Sequence, residues 1–203
     1  KLNYEPSGVN VKPGVYSISL TYGDLVSKNK IIVSADPRLN YDKEKFDEVY
    51  NNSKILERYL KSTTKAVKQL VESKETVKTI SNYLKKYDKT KYDSIIKSSD
   101  KISKTIDELI SLYIGKEDKR QGITRNPEPT VMRRISSASV YVGSRKTGIS
   151  STEINLMKHA KKELEDALTK TNSFFKNEWI EFKSNLQEQT MPIFKEVEEL
   201  KLE

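Results

Sequence analysis

The sequence predicts a mainly α protein: an elongated bundle of about four helices, two of them long, preceded by a short antiparallel β-hairpin. Three observations lead there. Apolar residues alternate with period two after residue 14, then recur at sums of three and four along nearly everything that follows. The composition is 35% hydrophobic and 33% charged with a mean hydropathy of −0.71, which suits a helix-rich chain with a wide solvated surface. The 203 residues are enough for one or two domains and a real core. The predicted division is a hairpin over 1–38 and a helical bundle over 39–203.

The hairpin comes first. In GVYSISLTYGDLVSKNKIIVSADPR, residues 14–38, Tyr16, Ile18, Leu20 and Tyr22 alternate with Val15, Ser17, Ser19 and Thr21. Pro13-Gly14 opens this strand and Tyr22-Gly23-Asp24 closes it. The second run, Leu25 to Ala35, is apolar at Ile31, Ile32 and Val33, so that end is expected to be buried on both faces. Asp36-Pro37 stops it. An isolated hairpin is marginal in water. It must dock on the bundle, or be the tail end of a sandwich whose other strands precede Lys1.

Residues 41–87 read as one long helix, about 70 Å at 1.5 Å per residue. Its stripe runs Phe46, Val49, Leu56, Leu60, Val67, Leu70, Val77, Ile80 and Leu84, interrupted by Ser53 and Thr63. After a polar break, residues 90–114 form a second helix with Tyr92, Ile95, Ile102, Ile106, Leu109 and Tyr113 on one face and Gly115 as its C-cap. Residues 116–129 are a loop, because Gly122, Pro127 and Pro129 forbid a continuous helix. A third helix covers about 130–146, with Val131, Ile135, Ala138 and Val142 in step. Ser150 with Glu153 three residues on forms a capping box. That box starts a fourth helix, 151–190, which Pro192 ends.

Formal net charge is +8, from 37 Lys+Arg against 29 Asp+Glu, but both signs are interspersed along the helices, which is mostly a solubility device. With no cysteine there are no disulfides, no thiolate metal sites and no Cys nucleophile. No run of about 18 apolar residues is present to span a membrane. The chain begins at Lys1 rather than Met and carries no signal peptide, which reads as a cut end.

The chemistry-bearing residues are few. His159 is the only histidine, and with Glu163 at i+4 it makes one pair without a third metal ligand. It reads as an ordinary surface histidine, and Ser-His-Asp catalysis has almost no support. Glu163, Glu165, Asp166, Glu178 and Glu181 read as salt-bridged solvated faces rather than a glycosidase pair. Phe174, Phe175, Trp179 and Phe182 in FFKNEWIEF read as core rather than stacking platforms. Asn51 in the NNS sequon sits inside the long helix, which argues against glycosylation. No Gly-rich phosphate loop occurs, and no cofactor is expected. Five of the seven arginines, Arg120, Arg125, Arg133, Arg134 and Arg145, fall in one stretch. They are the candidate surface for docking a neighbouring domain or partner, because Arg forks suit carboxylate and phosphate groups. A solvated face with local ion pairs is the plainer reading. No RNP, helix-turn-helix or basic-zipper pattern favours nucleic acid.

The order of these features resembles the C-terminal region of large BNR-repeat, sortilin-type propeller proteins labelled "glycosyl hydrolase" in Bacteroidota. The motifs that carry the resemblance are Pro13-Gly14-Val15-Tyr16, Asp36-Pro37-Arg38, RQGITRNPEPTV, SSTE and FFKNEWIEF. The resemblance spans nearly the whole chain and implies that the hairpin is the remnant of an Ig-like β-sandwich. The partners it implies are an upstream propeller and Ig-like domain of the same protein, together with an envelope protein. It also implies export to the periplasm, outer membrane or exterior. No catalytic residue carries over, since no Asp-box repeat is present.

The expected function is therefore a non-catalytic C-terminal accessory or interaction module that braces a propeller or binds a cell-envelope partner. Such a module should show an exposed apolar strand edge or patch where further strands belong. One alternative is part of a glycoside hydrolase-type enzyme whose site lies upstream. Another is a free-standing basic coiled-coil or nucleic-acid-binding module, which would bind with steep salt dependence.

Overall fold

The computed structural model describes residues 8–116 and 129–188. The protein is mainly α with one short antiparallel hairpin. In chain order the elements are β1 (Gly14–Tyr22), β2 (Leu25–Val33), α1 (Lys43–Asp88), α2 (Asp93–Ile114), α3 (Val131–Ser144), α4 (Ser151–Lys176) and α5 (Glu178–Gln187).

β1 and β2 pair from Gly14 opposite Val33 to Tyr22 opposite Leu25, which leaves a two-residue turn of Gly23 and Asp24. Gly23 has φ +55° and, among the described residues, no non-glycine has positive φ, so the turn is of the II′ kind, with glycine at its first central position. That turn matches the right-handed strand twist and fixes the register. The expected burial of the far end of β2 is not found: Ile31 and Ile32 are exposed and Val33 is only half-buried. A strand is buried on both faces only between two layers, and the hairpin has none.

The helix ends are set by local polar groups. The Asp42 carboxylate accepts the N–H groups of Glu44 and Lys45 at 3.1 and 3.3 Å and starts α1. Those backbone bonds hold the Asp42 carboxyl below its usual range. At the other end, Asp88 accepts from the N–H groups of Thr90 and Lys91, and this tight turn stops α1. Gly115 caps α2 at φ +85°, donating its N–H to the Ser111 carbonyl at 2.9 Å. Buried positions follow a seven-residue rhythm. One row runs through Leu56, Thr63, Leu70, Val77 and Leu84 of α1, and another from Tyr92 at the N-cap of α2 through Ser99, Ile106 and Tyr113. Thr63 does not interrupt the seam but lies wholly buried within it.

The fourth expected helix is two. α4 ends at Lys176, Asn177 takes φ −112° and ψ −80°, and α5 begins at Glu178. Beyond the kink Phe182 is buried, while Glu181 stays exposed. The N–H of Asn177 still reaches the Ser173 carbonyl, and the N–H of Glu181 reaches the Asn177 carbonyl.

The chain divides into two compact units, one made of Lys1–Ser62 and Met132–Lys162, the other of Thr63–Val131 and Glu163–Glu203. In the first, Leu56, Ile135, Ala138, Val142 and Ala160 are buried together with the carboxylate of Glu153. In the second, Lys74 bonds Asp107 and Lys85 reaches Asp100, which fixes α1 and α2 antiparallel. Leu84, Tyr92 and Ile96 close that pair at its turn. α5 packs on α2. The Tyr113 hydroxyl bonds Thr171 Oγ1 at 2.8 Å, and burial raises the Tyr113 pKa against the opposing pull of that bond.

Candidate functional site

Cross-strand partners share a face, so the register sorts the hairpin into two surfaces. Tyr16 with Ile31, Ile18 with Asn29, Leu20 with Ser27 and Tyr22 with Leu25 lie on one. Val15 with Ile32, Ser17 with Lys30, Ser19 with Lys28 and Thr21 with Val26 lie on the other. The first is predominantly apolar and the second predominantly polar, the pattern of a sheet with one face packed on a core. Yet Leu20, Tyr22 and Leu25 are 75%, 83% and 74% exposed, and Ile18 and Ile31 are exposed too.

The root of the hairpin, in contrast, is fixed. Lys12 Nζ meets Asp47 Oδ1 at 2.6 Å and stands 5.3 Å over the Tyr50 ring, joining the segment before β1 to the start of α1. Its bond to Asp47 raises the Lys12 pKa. The Tyr16 hydroxyl donates to the Lys12 carbonyl at 2.6 Å. Beside this anchor runs a groove of about 360 Å³, floored by Phe46, Val49, Leu56 and Leu60. Lys12, Glu57, Arg145 and Lys146 are among the groups that border it. Its chemistry is packing and charge complementarity. Lys12 is engaged by Asp47 and Arg145 by Glu153.

The arginine stretch does not act as one cluster. Arg120 and Arg125 lie outside the described residues. Arg134 and Arg145 are eleven residues apart, about 16 Å along a helix axis. Arg133 is exposed, and the partly buried Arg134 has no hydrogen-bond partner at Nε. Arg145 is committed internally. Its Nη2 reaches Glu153 Oε1 at 2.7 Å, while Glu153 Oε2 accepts the Ser150 N–H at 2.7 Å and its hydroxyl at 2.6 Å. Glu153 is thus the acceptor of the expected capping box and of an arginine besides. The Arg145 guanidinium and then the Ser150 hydroxyl pull its carboxyl down to about 2. Ser150-x-x-Glu153 signalled the cap in sequence, but nothing there signalled the pairing with Arg145.

His159 is exposed on α4, as are Glu165, Asp166, Glu178 and Glu181, while Glu163 is half-buried. Among the described residues no three His, Cys, Asp or Glu side chains gather as metal ligands would. Among the described residues no helix is long and apolar enough to cross a membrane. Phe174 and Phe182 are buried, with Phe175 and Trp179 against them at centroid distances of 5.1 to 6.2 Å, so this run is core. The Lys12–Asp47–Tyr50 anchor was not legible in sequence, because thirty-five residues separate the ion pair. No family model, no curated protein and no solved structure matches the chain.

Proposed function

We propose that the chain is a non-catalytic interaction module, the C-terminal accessory region of a larger exported propeller-type protein, in which the hairpin docks onto β-structure and the helices brace the propeller or hold an envelope partner. The observation that carries this reading is the uncovered apolar face of the hairpin. Two strands alone are marginal in water. A contiguous apolar surface bordered by polar groups marks an interaction site. The anchored root supports it further: the tether through Lys12 and Asp47 presents the face on a fixed base, so less freedom is lost on docking. The motifs Pro13-Gly14-Val15-Tyr16 and Asp36-Pro37-Arg38 bracket the hairpin as they do in the propeller family it resembles.

The test is the intact mass of the native protein from its source. The reading expects a mass several times 23.4 kDa. A lone 23.4 kDa species that binds no envelope protein would remove it.

A further inference from the structure

The groove beside the Lys12 anchor is open because one of its walls is thin. α3 buries Ile135, Ala138 and Val142, and the face beside them brings only Ser139 and Gly143 to the groove. α1 lines it with Phe46, Val49, Leu56 and Leu60, of which only Leu56 is fully buried. Small residues next to large apolar ones leave apolar surface bare, in a space of about 360 Å³ that is within the size range of small-molecule sites. The charges on the lining are sorted by position. Asp47 holds Lys12 and Glu48 holds the Ile149 N–H, so the segment before β1 and the turn after α3 both meet α1 at its start. Lys12, Arg145 and Lys146 therefore gather at that end. Leu56 and Leu60 lie about two to four turns further along α1. The carboxylates that pair with Lys12 and Arg145 stand off the lining, and Lys146 is exposed and bonds no carboxylate among the described residues. Glu57, the one carboxylate among the described lining residues, is held by Lys54 at 2.8 Å and Lys61 at 3.1 Å.

Independently of what the hairpin meets, we infer that this groove binds a small amphipathic carboxylate of the fatty-acid class. Its carboxylate lies at the Lys146 end and its hydrocarbon chain runs along Val49, Leu56 and Leu60. Two features select this ligand. An apolar lining that continues over several turns of α1 takes up a chain without polar groups. Cations gathered at one end call for the opposite charge at one end of the ligand. A cationic amphiphile would meet three like charges there, and a neutral one would leave Lys146 unanswered. Lys12 and Arg145 need not leave their partners, because Lys146 supplies the unengaged charge.

The experiment titrates the full chain with dodecanoate below its micelle concentration, read by calorimetry and by amide shifts in NMR. The expected result is saturable one-to-one binding with shifts at Val49, Ser53, Ser139 and Gly143. Dodecanol should bind on the order of 10-fold more weakly than dodecanoate. Lys146→Glu should weaken dodecanoate on the order of 5-fold and leave dodecanol unchanged. Ser139→Trp, at an exposed position on the thin wall, should abolish binding of both while the thermal melt stays as it was. Equal affinity for the acid and the alcohol would overturn the carboxylate and its seat at Lys146. Shifts confined to the hairpin, at Leu20 and Leu25, would move binding to the open strand face and overturn the groove. No saturable binding of either probe would overturn the inference outright, and the docking reading would stand in every case.

Discussion

The hairpin and α2 are both amphipathic, and they meet different fates. α2 turns Ile102, Ile106, Leu109 and Tyr113 inward, and all four are buried. The hairpin turns Ile18, Leu20, Tyr22, Leu25 and Ile31 to one side, and all five are exposed. The difference is not apolar content but the presence of a partner with the same period. α2 runs against α1 and α5, whose stripes repeat on the same helical period. No other strand among the described residues offers the hairpin a period of two. An amphipathic pattern specifies an element and its inner face, but burial needs a second element that matches it.

Substitutions at paired positions test this contrast most strongly. Ile106→Ala should destabilise the isolated chain by about 2–5 kcal/mol, since it removes a fully buried side chain. Leu20→Ala should stay within about 0.5 kcal/mol, as an exposed substitution does. Urea denaturation of both variants reads the difference directly. Comparable losses would mean that the hairpin face is already covered within the chain.

Glu153 extends the comparison to pH. Its folded carboxyl sits near 2 against an ordinary value of 4.5. A depressed folded pKa stabilises above the unfolded value, and that contribution disappears as pH falls from about 4.5 through about 2. Thermal melts across this window should steepen in acid for the native chain. Glu153→Gln should flatten that acid limb and lower the melting temperature at neutral pH.

Smaller effects sharpen the account of the helical seam. Tyr113→Phe leaves Thr171 Oγ1 buried without its partner and should cost about 1–3 kcal/mol. Ser99→Ala works the other way. The Ser99 hydroxyl is buried and unbonded, so removing it and gaining helix propensity should stabilise by about 1 kcal/mol in the same denaturation assay. A loss instead would show that the hydroxyl has a partner, such as a trapped water.

Much of the fold was legible because its signals are local. Val131, Ile135, Ala138 and Val142 fall in step within three turns, and Gly115 and Ser150 mark ends with their own chemistry. The kink at Asn177 was not legible. No proline or glycine stands near it to announce a break. The exposure of Ile31 and Ile32 escaped for another reason. A run of apolar residues says that a strand can be buried on both faces, not that layers exist to bury it. Of the candidate arginines, Arg145 shows the limit most plainly. Its partner Glu153 was read as a cap, and the pair joins only when the turn between α3 and α4 brings them together.

The bond between the Ile149 N–H and Glu48 Oε2, at 3.1 Å, spans 101 residues of chain. Closing so long a loop has an entropic cost that local contacts do not carry. The turn joining α1 to α2 needs no such closure. The antiparallel α1–α2 pair should therefore form early, and the latch of Ile149 onto Glu48 late. The order in which amides gain protection during refolding will show it: those of α2 first, that of Ile149 among the last. A late-forming latch beside the hairpin root means that the docking face acquires its fixed base only when folding is nearly complete.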